Sequence, residues 1–242
     1  MIVGIDGCPS GWICALGTIE DNQIVKLKMQ FVLHPNEIWQ QYAVQKMCID
    51  MPIGLPKYSK KGGRHIDTQA RRILGKGGSS RVFSPPVRKI LYCADYQEAL
   101  QKSKETPPDG VGLSKQSFYL LPKIRQIDEW LRKDLNLQKS IFETHPELSF
   151  WAMGKQTAPS KHSVDGKEFR IQLLTQAGIW DESFFDIIEK ERKRANTISK
   201  DDILDALACM WSAYRCLHGI EQNIGKDEEI YDDEGLLMRY IF

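Results

Sequence analysis

The sequence predicts an α/β fold. Two apolar runs joined by a short polar turn lie near the amino end, a short apolar run follows a helical stretch at Met47–Ile49, and a long amphipathic segment comes late. A hairpin, then helices alternating with short buried strands, is the pattern of a sheet flanked by helices.

The first run, Met1 to Ile5, closes on Asp6-Gly7. Gly11–Ile19 and Ile24–Leu33 are read as strands, with Glu20-Asp21-Asn22-Gln23 as the hairpin turn. Pro35-Asn36-Glu37 opens a short helix that carries Ile38, Trp39, Tyr42 and Ala43 on one side. Met47-Cys48-Ile49 is short and wholly apolar, as suits a buried parallel strand returning beside the first. From Gly54 to about Gly112 the chain turns to Gly, Pro, Ser and bases, with one helix near His65–Leu74. This stretch has few large apolar residues, so it reads as an insertion, about residues 56–112, in a single domain spanning 1–242. Gly75-Lys-Gly-Gly-Ser-Ser80 lacks the spacing of a phosphate-binding loop and reads as ordinary loop. Helices follow at about Tyr96–Lys104 and Ser117–Asp134, then a strand ending at Glu143. Further helices fall near Lys167–Ala177, Glu182–Ala195 and Asp201–His218, before an acidic tail at about 221–242.

Composition narrows the class. A chain with 42% hydrophobic and 27% charged residues is ordinary for a soluble globular protein. No run approaches the roughly 18 apolar residues of a membrane span, and the start lacks a secretory pattern. The six cysteines form no CxxC pair, and four lie among apolar neighbours, which suits a reducing cytoplasm without disulfides or structural zinc. Between Lys57 and Lys89 stand ten Lys or Arg against one acid, Asp67, whereas Asp227–Glu234 holds six acids and no base. The basic stretch suggests an anionic partner, and the acidic run reads as a solvated end.

Separated acids carry the chemical signal. Asp6 and Asp50 close apolar runs, Glu143 closes another, and Asp202 with Asp205 opens the late helix. A carboxylate just past a buried strand is costly unless something positive meets it. Magnesium or manganese held by oxygen ligands meets that need. Asp6-Gly7 also suits a turn, and Asp50, held extended by Met51-Pro52, also suits a cap. Ser199-Lys-Asp-Asp202 fits a capping box, but Asp205 lies one turn further on, on the same helix face as Asp202. Pro146 reads as the first position of a helix that Glu147 favours through the dipole, which leaves Glu143 as a ligand candidate. His145 is a candidate proton shuttle or a structural histidine. Lys161, with Lys167 and Arg170, reads either as a phosphate contact or as a solvated helix face.

Four motifs then stand in order: Gly4-Ile-Asp-Gly-Cys-Pro-Ser-Gly-Trp12, Ile49-Asp-Met-Pro-Ile-Gly-Leu55, Glu143-Thr-His-Pro-Glu-Leu-Ser-Phe150 and Asp201-Asp-Ile-Leu-Asp-Ala-Leu-Ala208. From near residue 1 to about residue 218 they resemble a family of predicted RNase H-like nucleases, catalogued as a domain of unknown function, number 429. The last motif is also similar to the Asp-x-x-Asp-Ala-Leu-Ala pattern of Holliday-junction resolvases. The resemblance implies an RNase H-like five-stranded mixed sheet flanked by helices, with the basic insertion after the fourth strand. Its acids would be Asp6, Asp50, Asp202 and Asp205. No acid of the first helix matches the extra glutamate of ribonucleases H, since Glu37 falls at its start, and Glu143 is the candidate replacement.

The implied activity is phosphodiester hydrolysis by a carboxylate cluster holding one or two Mg2+ or Mn2+ ions. Asp6, Asp50, Glu143, Asp202 and Asp205 would be ligands, with His145 assisting catalysis. Arg64, Arg71, Arg81 and Lys161 would hold the phosphates of DNA or RNA, giving salt-dependent affinity. The alternatives are a metal-dependent hydrolase of a small phosphorylated metabolite and a non-catalytic nucleic-acid-binding protein.

Overall fold

The structure is a computed structural model that describes residues 1–191, 198–225 and 230–242. In chain order the elements are β1 (Ile2–Cys8), β2 (Gly11–Glu20), β3 (Gln23–Val32), α1 (Asn36–Gln41), β4 (Lys46–Ile49), α2 (His65–Gly78), α3 (Tyr96–Lys104) and α4 (Lys115–Lys133). They continue as β5 (Ile141–Glu143), α5 (Pro146–Gly154), α6 (Val164–Gln176), α7 (Asp186–Glu191), α8 (Lys200–Leu217), β6 (Asn223–Ile224) and β7 (Tyr240–Ile241). The mixed sheet runs β3-β2-β1-β4-β5-β7-β6. It therefore has seven strands rather than the expected five. The two additions come from the segment read as a solvated tail, whose Ile224, Tyr240, Ile241 and Phe242 are buried apolar residues. Of that tail's acids, Asp227, Glu228 and Glu229 lie outside the described residues.

The chain divides into two compact units. One comprises residues 1–50, 139–223 and 241–242; the other comprises 51–138 and 224–240. The second is wider than the insertion expected over 56–112, because it also takes in α4 and a return segment. Its buried side chains include Leu121, Ile124, Ile127 and Leu131 from α4 and Leu236 and Leu237 from that segment. They supply the apolar bulk that 56–112 lacks. The glycine-rich 75–80 stretch is not simply loop: α2 runs to Gly78 across a kink at Gly75, whose φ of 61° suits glycine. Helix α6 begins a few residues before its expected start because Ser163 caps it, accepting from the Gly166 amide. The expected helix at 182–195 divides into a 3₁₀ turn at Glu182–Phe185 and α7, and residues 192–195 lie outside the described residues. Among the described residues, no helix is long and apolar enough to cross a membrane.

In the first unit, β1 pairs antiparallel with β2 and parallel with β4, and β5 extends the parallel set. Helix α8 lies directly on β1. A Cβ on Gly4 would sit 2.0 Å from the Met210 nitrogen and 2.1 Å from the Ala206 oxygen, both helix backbone atoms. Side chains alternate along a strand, so Asp6 projects to the same face as Gly4 and hence toward α8. The apolar side of α8, with Ile203, Leu207 and Met210, is fully buried in this core. Gly4→Ala should cost about 2–3 kcal/mol through overpacking and lower Tm by roughly 5–10 °C in a thermal melt. An unchanged melt would show that α8 yields without cost.

Candidate functional site

The parallel register levels the strand ends. Ile5 stands opposite Ile49, the Asp50 amide donates to the Ile5 carbonyl at 2.9 Å, and Asp6 and Asp50 follow as neighbours in the next row. Asp205 reaches the same place from α8. The electrostatics record this meeting. Burial raises the Asp6 carboxyl well above its ordinary range, and the charges of Asp50, Asp205 and Asp202 raise it further. Asp50 rises to about 7, first through burial, with Lys161 opposing and Glu147 adding to the rise. Asp205 rises to about 6, again chiefly through burial, with Lys161 opposing and Asp50 adding. Asp202 is raised by burial, against the stabilising bond from the Ser199 amide.

Lys161 is the cation of this cluster. Its Nζ lies 3.0 Å from Asp205 Oδ2, and the charges of Asp205, Asp6 and Asp50 strengthen its hold on its proton. Of the two readings of Lys161 in the sequence, a phosphate contact or a solvated face, the structure adds a third: a tethered counter-charge. Asp202 closes the capping box, its Oδ2 accepting from the Ser199 amide at 2.8 Å while its own amide donates to Ser199 Oγ. Asp6 Oδ1 likewise accepts from the Gly7 amide at 2.8 Å, the local bond expected of an Asp-Gly turn.

Glu143 does not share that face. It pairs with Ile49, in the row of Ile5, and a one-residue offset along a strand directs a side chain to the opposite side of the sheet. Its expected place beside Asp6 and Asp50 is therefore corrected by the register. The acid that does act on the cluster from this region is Glu147, which the dipole argument had absorbed. Glu147 Oε1 accepts from Arg170 at 2.5 Å, and Arg170 is held by the carbonyls of Pro159 and Gly166. The one available signal was position, since Glu147 stands in the first turn after a strand end. His145 serves as the cap of α5, its Nδ1 accepting the Glu147 amide at 3.2 Å, so that nitrogen carries no proton.

The expected phosphate-binding arginines of the second unit have internal work. Arg64 is buried against Asp67 at 2.9 Å, donates to the carbonyls of Ile53 and Gly54, and meets the Tyr240 hydroxyl. Arg71 donates to the carbonyls of Val82 and Gly62 and to Ser84 Oγ. Arg81 closes a 3₁₀ turn at Ser79–Arg81 and is half-buried. Arg88 binds Asp128 at 2.6 Å and also Asp232, while Lys57 meets Asp233 at 3.4 Å. Lys57, Arg64 and Arg88 of the basic stretch are thus paired with acids of the same unit, two of those acids coming from the segment read as a free tail.

As a metal site the cluster has the right donor chemistry, hard carboxylate oxygens with more negative charge than Lys161 offsets. Among the described residues, however, no three His, Cys, Asp or Glu side chains are drawn together as a ready ligand set. A carboxyl with a raised pKa holds its proton longer in the folded chain, so stability contributed by the protonated form is lost as pH rises toward the folded value. For Asp50 the window runs from the unfolded value near 4 to about 7. Asp50→Asn should therefore raise Tm by roughly 5 °C at pH 8 in chelator and change it little at pH 4. Equal melts at both pH values would mean that Asp50 is not charged at cost.

No curated protein and no solved structure matches the chain. The family described as "Protein of unknown function (DUF429)" matches residues 4–230. That span takes in the strand ends, residues 51–138 of the second unit and α8, and the chain belongs to this family.

Proposed function

We propose that the chain is an RNase H-like, divalent-cation-dependent hydrolase of phosphodiesters in nucleic acid. Asp6, Asp50, Asp202 and Asp205 would hold magnesium or manganese, and Glu143, on the other face of the sheet, would not. The observation that carries the reading is the convergence of Asp6, Asp50 and Asp205 at one end of the sheet, where Asp50 and Asp205 raise the Asp6 carboxyl and Asp50 raises that of Asp205. The order β3-β2-β1-β4-β5, with a hairpin beside two parallel strands and a helix across β1, supports the RNase H-like assignment.

When bound, the ion supplies Lewis-acid charge to a phosphoryl oxygen and lowers the pKa of water. The protein's own part is preorganisation. Burial sets the carboxylates before substrate arrives, and the low local dielectric strengthens their attraction for positive charge. Asp202 is steadied by the Ser199 amide, and Glu147 by Arg170. The Lys161 side chain, 39% exposed, is long enough to turn from Asp205 to a substrate phosphate oxygen.

The Lys161–Asp205 pair also favours a second reading, in which lysine replaces the cation and the fold binds nucleic acid without cleaving it. Manganese-dependent cleavage of labelled DNA and RNA strands separates the two. Asp6→Asn should reduce cleavage by at least about 100-fold, since even outer partners of metal ligands cost 10–100-fold. Its Tm in chelator should stay equal or rise. Absence of cleavage by the parent chain, with no manganese shift of its melt at millimolar concentration, selects the second reading.

Lys161→Met provides a further check. It removes the ammonium paired with Asp205, so its Tm should fall at pH 8 in chelator and recover on adding manganese. A melt unaffected by manganese would count against an ion at Asp205.

A further inference from the structure

The second unit holds a cavity of about 340 Å³, walled by Leu55, Ile66 and Met238. That volume is at the lower end for small-ligand sites and suits a single monomer-sized ligand. Two of its lining residues, Tyr58 and Tyr231, are each 52% exposed. Half-exposed aromatic rings that line a cavity give a planar ring a surface to stack on.

The charges around it are ordered. Asp232 is taken up by Arg88 and by the amides of Leu55 and Leu236, both at 2.9 Å. Asp233 is met by Lys57, whose Nζ also lies 5.8 Å from the Tyr58 ring centre. The exposed Lys60 side chain has no acidic partner among the described residues. The lining therefore pairs aromatic faces with one uncommitted ammonium, the combination that recognises a base and its phosphate.

We propose that this cavity takes one unstacked nucleotide of a single-stranded nucleic acid, its base against Tyr58 and Tyr231 and its phosphate at Lys60. This deepens the hydrolase reading, on which it rests, by naming the strand form presented to the enzyme. A base within a duplex shows only its edges and cannot offer its face to a tyrosine; a base in a single strand can.

Fluorescence anisotropy of a short labelled oligothymidylate tests this, using the Asp6→Asn chain in chelator so that nothing is cleaved. Tyr58→Ala and Tyr231→Ala should each weaken binding roughly tenfold, and Tyr58→Phe, which keeps the ring, should bind like the parent. Lys60→Ala should lower the slope of log affinity against log salt by roughly 0.7, as for one phosphate contact on a single strand. A duplex of equal length should bind at least about tenfold more weakly than the single strand. Equal affinity for duplex and single strand overturns the proposal, as does parental affinity in both alanine variants. Thymidine monophosphate competing as strongly as the oligonucleotide also overturns it, assigning the cavity to a free nucleotide. Binding retained by a chain that never cleaves refutes the hydrolase alone, and cleavage that survives loss of cavity binding refutes the cavity alone.

Discussion

The contact on which the first unit depends is backbone against backbone. At Gly4 the strand β1 and the helix α8 approach so closely that a methyl group would overlap the Met210 nitrogen and the Ala206 oxygen. That approach brings Asp205, the residue before Ala206, to the strand end where Asp6 and Asp50 stand. Without it, an acid near residue 6 and an acid near residue 205 would have no reason to sense one another. The carboxyl pKa shifts follow from this packing, because the same helix that excludes water from Asp6 delivers the next negative charge.

Burying several acids together is unfavourable, and the molecule answers in two ways. Glu147 is answered by an arginine that is itself buried and held by carbonyls. Asp205 is answered by Lys161, which Asp6 and Asp50 also attract. Coulomb attraction between close charges is large only where water is scarce, so a single ammonium influences three carboxyls at once. The remaining negative charge is what makes the place attractive to a hard cation. Burial first, with neighbouring acids adding to it, is why Asp50 and Asp205 hold their protons to unusually high pH.

The second unit treats charge differently. Its basic stretch and the acids that follow residue 230 look in sequence like opposite poles waiting for separate partners. In the fold the acids are met from within the unit, Asp232 by Arg88 and Asp233 by Lys57 of that stretch, and Glu234 by Arg132 of α4. Arg64 and Asp67 form a buried pair that organises the start of α2. A buried pair of this kind is strongly destabilised by losing one partner, which makes Arg64 an architectural residue more than a surface contact.

Local pattern was enough to assign the class of the fold and most of its elements. The β2–β3 hairpin, the short parallel strand at 47–49 and helices such as Tyr96–Lys104 follow from local pattern and turn chemistry, which act within a few residues. Asp6, Asp50, Asp202 and Asp205 were legible as a set because acids at strand ends and inside a buried helix face have few ordinary explanations. Long-range packing set the rest. The pleat turned Glu143 away by one position, and packing made Glu147 and Lys161 members of the cluster. The return of 224–240 supplied partners for the bases and two more strands for the sheet. These outcomes depend on contacts between residues as many as 177 positions apart, as in the Leu55 amide with Asp232. No local periodicity encodes which of several like-charged side chains such a contact will select.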